Sequence, residues 1–211
     1  MAANSTSARV TALFLDIGGV MLTNGWDRRS REAAAKRFGL DIDDLNDRHR
    51  MTFDTYEAGK LSLDEYIKRT VLYKEQSFTI DDFRTFMYDQ SVAYPEMIDL
   101  VKALKARYGL KIAVVNNEGR ELNEHRIKQF RLGAFVDFFI SSCFVHFRKP
   151  DADIWKVALD IAQVPTEEVV YIDDRAMFVQ VAQTLGLRGI VHNYKDVGKT
   201  RDALAEMGLI L

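Results

Sequence analysis

An apolar run, Val10-Thr11-Ala12-Leu13-Phe14-Leu15, ends in Asp16 and is followed by Ile17-Gly18-Gly19-Val20. A carboxylate at the end of a buried strand is costly unless it meets a cation, a donor or water. The pattern recurs far downstream, where Val169-Val170-Tyr171-Ile172 runs into Asp173-Asp174. Two apolar strands that both end in carboxylates point to one metal site assembled from distant segments.

The elements that would position these groups follow from periodicity. Residues 10–16 read as a buried strand. From Trp26 to about Gln90 no strand is expected. Leu45, His49, Thr52, Phe53 and Tyr56 fall on one helical face. Leu63, Tyr66, Ile67, Thr70 and Val71 make a second such face, and Ile80, Phe83, Phe86 and Met87 a third. Ser62 with Glu65 is a capping box for the second helix, and Thr79 with Asp82 a weaker version for the third. A helical bundle inserted after the first strand is therefore predicted. Pro95 opens another helix, and from there strands alternate with helices. Strands are expected at 111–115, 138–140, 169–172 and 189–191, and helices at 121–130, 154–162, 178–185 and 200–207. That alternation implies a parallel sheet with right-handed crossovers and chemistry beyond the carboxyl ends of the strands. Asp16, Asn116 and Asp173-Asp174 all lie at such ends.

The chain has 211 residues, 47% hydrophobic and 28% charged, with a net charge of -2. These values describe an ordinary globular chain and favour neither nucleic acid nor an anionic membrane surface as partner. A single cysteine, Cys143, excludes an internal disulfide framework and suits a reducing compartment. Met1 to Arg9 is polar and small, without the apolar core of a secretory signal. A cytoplasmic enzyme is the expectation. Cys143 reads as an inert core thiol, His146 as a surface residue, and His49 as a buried histidine with a satisfied hydrogen bond.

Four segments in order, Leu15 to Val20, Val114-Val115-Asn116-Asn117, Arg148-Lys149-Pro150-Asp151 and Tyr171-Ile172-Asp173-Asp174, resemble the haloacid-dehalogenase-like hydrolase superfamily. The resemblance covers nearly the whole chain. It implies an α/β, Rossmann-like parallel sheet, with the first strand central and the fourth beside it. The core would comprise 8–22 and 94–211, with residues 23–93 as a helical first-position (C1) cap. It implies Asp16 as the nucleophile of an aspartyl-phosphate mechanism. Mg²⁺ would be held by the Asp16 carboxylate, the Gly18 carbonyl and Asp174, with Asp173 as a further acceptor or water-mediated ligand. Lys149 would neutralise charge, and Asn116 and Asn117 would bind phosphate. The cap candidates for substrate contact are Trp26, Tyr56, Glu57 and Lys60.

Two departures from the family pattern bear on function. The phosphatases of the family usually carry a second aspartate two residues after the nucleophile, as general acid and base; here Gly18 stands there. That loss matters least when the leaving group is already good. A bacterial branch with Asp-Leu-Gly-Asn or Asp-Ile-Gly-Gly in this place includes phosphatases of sugar 1-phosphates, and the chain looks most like that branch. The usual phosphate-binding Ser or Thr is Asn116. The leading expectation is a Mg²⁺-dependent phosphatase of small phosphorylated metabolites. The alternatives are a non-catalytic phospho-ligand-binding or regulatory protein, and a metal-independent 2-haloacid dehalogenase.

Overall fold

The computed structural model describes residues 8–211. Met1 to Ser7, which carry most of the polar start noted above, lie outside the described residues. Five parallel strands form one sheet: β1 (Ala12–Leu15), β2 (Lys111–Asn116), β3 (Phe138–Ser141), β4 (Val169–Asp173) and β5 (Arg188–Val191), in the order β3-β2-β1-β4-β5. The expected α/β parallel sheet is present, with β1 central and β4 at its side.

The near-continuous apolar character of β1 has a direct cause: both faces of the sheet are covered. Leu13 and Leu15 point into one cluster with Met97, Val101 and Leu104 of α5 (Pro95–Tyr108) and Leu204 of α10 (Val197–Glu206). Ala12 and Phe14 point into the opposite cluster, with Trp155 and Ala158 of α8 (Asp153–Ala162) and Phe178 and Val179 of α9 (Ala176–Thr184). Each large aliphatic side chain buried this way contributes about 1.5–3 kcal/mol.

Between β1 and α5 lie four helices: α1 (Arg28–Phe38), α2 (Ile42–Glu57), α3 (Leu63–Thr70) and α4 (Ile80–Asp89). They share a separate core of Trp26, Leu45, Tyr56, Tyr66, Ile67, Phe83 and Met87. The capping boxes at Ser62–Glu65 and Thr79–Asp82 are both formed. Helix α1 was not anticipated. It buries only Ala34 and Ala35, so it carries no apolar stripe to read. It rests on alanine propensity and on Asp27, whose carboxylate accepts from the Ser30 amide as an N-cap. The chain leaves and rejoins the sheet through paired strands of backbone: Thr23 N donates to Val92 O, and Tyr94 N to Met21 O. Helices α6 (Arg120–Gln129) and α7 (Ser142–Val145) complete the chain, and α7 too lacked a sequence signal. Among the described residues, no helix is long and apolar enough to cross a membrane.

Candidate active site

The crossovers place β2 and β3 on one side of β1, and β4 and β5 on the other. The order therefore reverses between β1 and β4, and the carboxyl ends of those two strands define the crevice. Asp16 follows β1 there, its amide donating to Ile172 O of β4 at 3.0 Å. Asp16, Asp173 and Asp174 each present a carboxylate oxygen, all within 4.8 Å of one another. Sequence positions more than 150 apart thus meet at one point, because Leu15 and Ile172 are partners in adjacent strands.

Lys149 enters from the loop before α8 and is 2% exposed. Its Nζ lies 3.1 Å from Asp16 Oδ1, 2.7 Å from Asp173 Oδ2 and 3.1 Å from the Tyr171 hydroxyl. Asp173 and the Tyr171 hydroxyl accept hydrogen bonds from this ammonium, and Asp16 pairs with it as an ion. The backbone of Lys149 is clamped by Asn117, whose Oδ1 accepts from Lys149 N at 2.8 Å and whose Nδ2 donates to Lys149 O at 2.9 Å. Asp173 is committed to this scaffold: Oδ2 takes Lys149 and the Tyr171 hydroxyl, and Oδ1 takes the Arg175 amide at 2.8 Å. It orients the lysine and leaves Asp16 and Asp174 as the freer carboxylates.

The electrostatics follow from this crowding. Burial raises the Asp16 pKa, and the charges of Asp173 and Asp174 add to it against the pull of Lys149. Burial and Asp173 raise Asp174 as well, opposed by its hydrogen bond from Asn24. Burial alone would lower Lys149, but Asp16 and Asp173 outweigh it and hold the ammonium above its ordinary value. Three carboxylates against one ammonium leave room for a divalent cation. Asp174 Oδ1 is buried with no partner. Gly19, at φ +71°, passes so close that a Cβ there would stand 2.1 Å from Asp174 Oδ2. An orphaned carboxylate oxygen in an all-oxygen donor set fits Mg²⁺.

Above the carboxylates is a cavity of about 440 Å³. Asp16, Gly18, Asn117 and Lys149 line its floor; Trp26, just before α1, and Phe53, Tyr56 and Glu57 of α2 line its walls. Asn116 is placed differently from expectation. It is 1% exposed and does not line the cavity, and its Nδ2 donates to Asn123 Oδ1 at 3.0 Å, with Asn123 passing a bond on to Ser141. The amide that was to meet phosphate is tied into the sheet end. Lys60 is exposed and is not among the lining residues. Glu57, a cap candidate for substrate contact, is also held by Arg148, whose Nε donates to Glu57 at 2.9 Å and whose Nη1 donates to Asp54 at 2.7 Å. The Glu57-Ala58-Gly59 turn is held further by Ser142 Oγ on Glu57 O and by His146 Nδ1 at Ala58 O. Gly59, at φ +68°, abuts the Cys143 carbonyl so closely that a Cβ there would stand 2.2 Å from it. His146 is exposed, and the Cys143 thiol is buried with its pKa pushed up to about 12 by that burial.

Sequence reading missed Asn24, Tyr171, Glu118 and Arg126. Tyr171 had a signal, a hydroxyl two residues before Asp173 and so on the same face of the strand. Glu118 and Arg126 form a buried ion pair at 2.7 Å on the cavity wall, Glu118 from the loop before α6 and Arg126 from α6 itself.

His49 makes the bond expected of it. Trp26 Nε1 donates to the Tyr66 hydroxyl at 2.8 Å, and that hydroxyl pairs with His49 Nδ1 at 2.7 Å. The imidazole is held neutral: burial, then Arg31, lowers its pKa from 6.5 to about 3. A depressed histidine contributes stability in full above pH 6.5 and loses it as pH falls toward 3. The limiting slope is about 1.4 kcal/mol per pH unit. Melting curves from pH 8 to pH 4 will show the native chain losing stability on this limb. His49→Phe, which keeps the stack on Phe53, will show a shallower fall.

A profile of the haloacid dehalogenase-like hydrolase family matches residues 10–186, and the chain belongs to that family. A phosphatase of Mycobacterium tuberculosis is 23% identical over 96% of this chain and 97% of its own length. A phosphorylated carbohydrates phosphatase of Thermotoga maritima is 26% identical over 72% of this chain and 65% of its own. Other relatives are much longer: the chain spans 24% of a bifunctional epoxide hydrolase 2 of Rattus norvegicus, at 30% identity over 63% of this chain. Among solved structures, a haloacid dehalogenase family enzyme of Bacteroides thetaiotaomicron in complex with magnesium has a TM-score of 0.73 at 19% identity, covering 89% of this chain and 95% of that one. At that identity the likeness speaks for the fold.

Proposed function

We propose that the chain is a Mg²⁺-dependent phosphatase of small phosphorylated metabolites, acting through an aspartyl-phosphate on Asp16, with the inserted helices serving as its cap. One observation carries the reading: Asp16 stands at the cavity floor 3.1 Å from a buried ammonium and within 4.8 Å of two more carboxylates. A carboxylate so placed is a nucleophile that needs a cation before an anionic substrate can approach. Asp16, the Gly18 carbonyl and Asp174 would hold Mg²⁺, which would neutralise phosphate charge and polarise a phosphoryl oxygen. A deprotonated Asp16 oxygen attacks phosphorus while the bond to the leaving oxygen breaks and its electron pair departs with that oxygen. Lys149 stabilises the charge gathering on the phosphoryl group. Water then attacks the same phosphorus, the bond to Asp16 breaks, and the proton balance closes on the leaving oxygen and solvent. Asn117 keeps Lys149 in register through both steps.

A cavity of about 440 Å³ with aromatic and charged walls suits a phosphorylated sugar. The 23–26% relatives named above support the phosphatase class. Gly18 supplies no acid, so good leaving groups are favoured. A phosphate-release panel with Mg²⁺ will show acetyl phosphate and sugar 1-phosphates turned over faster than sugar 6-phosphates. Equal rates on 6-phosphates would contradict the preference. Chloride release from 2-chloropropionate in EDTA, with no phosphate released from any ester, would move the attack of Asp16 to carbon.

A further inference from the structure

Gly18 is two residues past the nucleophile and lines the same cavity. A Cβ built on it would stand 2.8 Å from Asn24 Oδ1 and 3.4 Å from Asn24 Cα. The volume that a side chain at position 18 would fill is thus already taken, by the carboxamide of a residue six positions on. Asn24 has a second tie: its Nδ2 donates to Asp174 Oδ2 at 3.2 Å. The amide is oriented by that bond, because an ionised Asp174 can only accept. Its nitrogen faces the carboxylate and its oxygen faces Gly18.

An amide in that place differs in kind from a carboxyl group. It accepts a hydrogen bond but neither gives nor takes a proton at ordinary pH. It also holds one oxygen of Asp174 while the other, Oδ1, stays without a partner.

We propose that Asn24 stands in for the missing side chain at position 18 and thereby sets the range of leaving groups the site accepts. It is a positioning residue for Asp174 and a block to proton transfer beside Asp16. The proposal rests on the phosphatase reading in its second half and on the Asn24–Asp174 contact alone in its first. Gly18 and Asn24 form a coupled pair: a side chain at position 18 must push the Asn24 carboxamide off Asp174, unless that carboxamide is removed. With a carboxyl group at position 18 protonated, the leaving oxygen would take its proton as the bond to phosphorus breaks. The ionised form would then recover a proton from the water that attacks the aspartyl-phosphate. Without it, the leaving oxygen must depart as an anion and take its proton from solvent.

The test uses the full-length chain in four forms: native, Asn24→Ala, Gly18→Asp, and the double variant Gly18→Asp with Asn24→Ala. Melting temperature against Mg²⁺ concentration, with no substrate, reads the first half. Asn24→Ala is expected to weaken the Mg²⁺ response about tenfold or more, as loss of a partner to a metal-binding carboxylate does elsewhere. An unchanged Mg²⁺ midpoint would overturn the positioning role. The ratio of kcat/KM on glucose 6-phosphate to that on acetyl phosphate reads the second half. The double variant is expected to raise that ratio at least about tenfold, toward the lower range of general acid–base help. Gly18→Asp alone is expected to melt lower than the native chain and to show no such gain. Equal ratios in the single and double Gly18→Asp variants would overturn the coupling. A native chain that releases no phosphate from acetyl phosphate would instead refute the phosphatase reading, and the Mg²⁺ midpoint of Asn24→Ala would still decide the first half.

Discussion

Asp16→Asn will abolish phosphate release from acetyl phosphate and from every ester the native chain hydrolyses, while the fold survives. The amide cannot form the acyl-phosphate bond, so the loss should exceed about 10³-fold, the scale seen when a covalent nucleophile is removed. The fold should survive because Asp16 is a strained participant. It sits among two other carboxylates, and burial with those charges raises its pKa. Asparagine keeps an oxygen for Lys149 and removes a repulsive charge. In metal-free buffer the variant should therefore melt at or above the native temperature. Phosphate assays paired with melting curves separate the two effects. Retained turnover would show that another group attacks phosphorus.

Lys149→Met carries the second large effect and differs by striking stability as well. The ammonium is 2% exposed and has three oxygen partners, two of them carboxylates. Its removal leaves Asp16 and Asp173 unpaired inside the protein, a change that costs about 3–5 kcal/mol when one member of a buried ion pair is deleted. Turnover should fall by about 10²–10³, the scale of a lost charge-stabilising donor. Lys149→Arg should not rescue it, because a planar fork cannot replace a point charge among three converging oxygens. Added Mg²⁺ should restore part of the melting temperature and little of the rate. A Lys149→Met variant that melts as the native chain does would show that Asp16 and Asp173 do not depend on its charge.

The site and the fold were legible in the sequence to different depths. The sheet was plain, since doubly covered parallel strands are apolar runs, and those beginning at Ala12 and Val169 announced their carboxyl ends through Asp16 and Asp173. Helix α1 was not, because two buried alanines make no stripe. At the site, residues adjacent to strand ends could be placed, and residues acting through a neighbour could not. Asn24 reaches Asp174 across 150 positions, which no local pattern encodes. Asn116 lies at the end of β2, and its strand-end address alone could not reveal that its side chain points to Asn123. Arg148 and Glu57 each look like solvated charges until the fold sets them together.

The account turns on the covalent step at Asp16. Rapid acid quench of the native chain during turnover of acetyl phosphate with Mg²⁺, followed by peptide mass mapping, tests it most directly. The expected result is one phosphoryl increment on the peptide containing Asp16, lost on treatment with base and not seen in Asp16→Asn. A phosphoryl group on another residue, or steady turnover with no labelled peptide at any quench time, would contradict the mechanism.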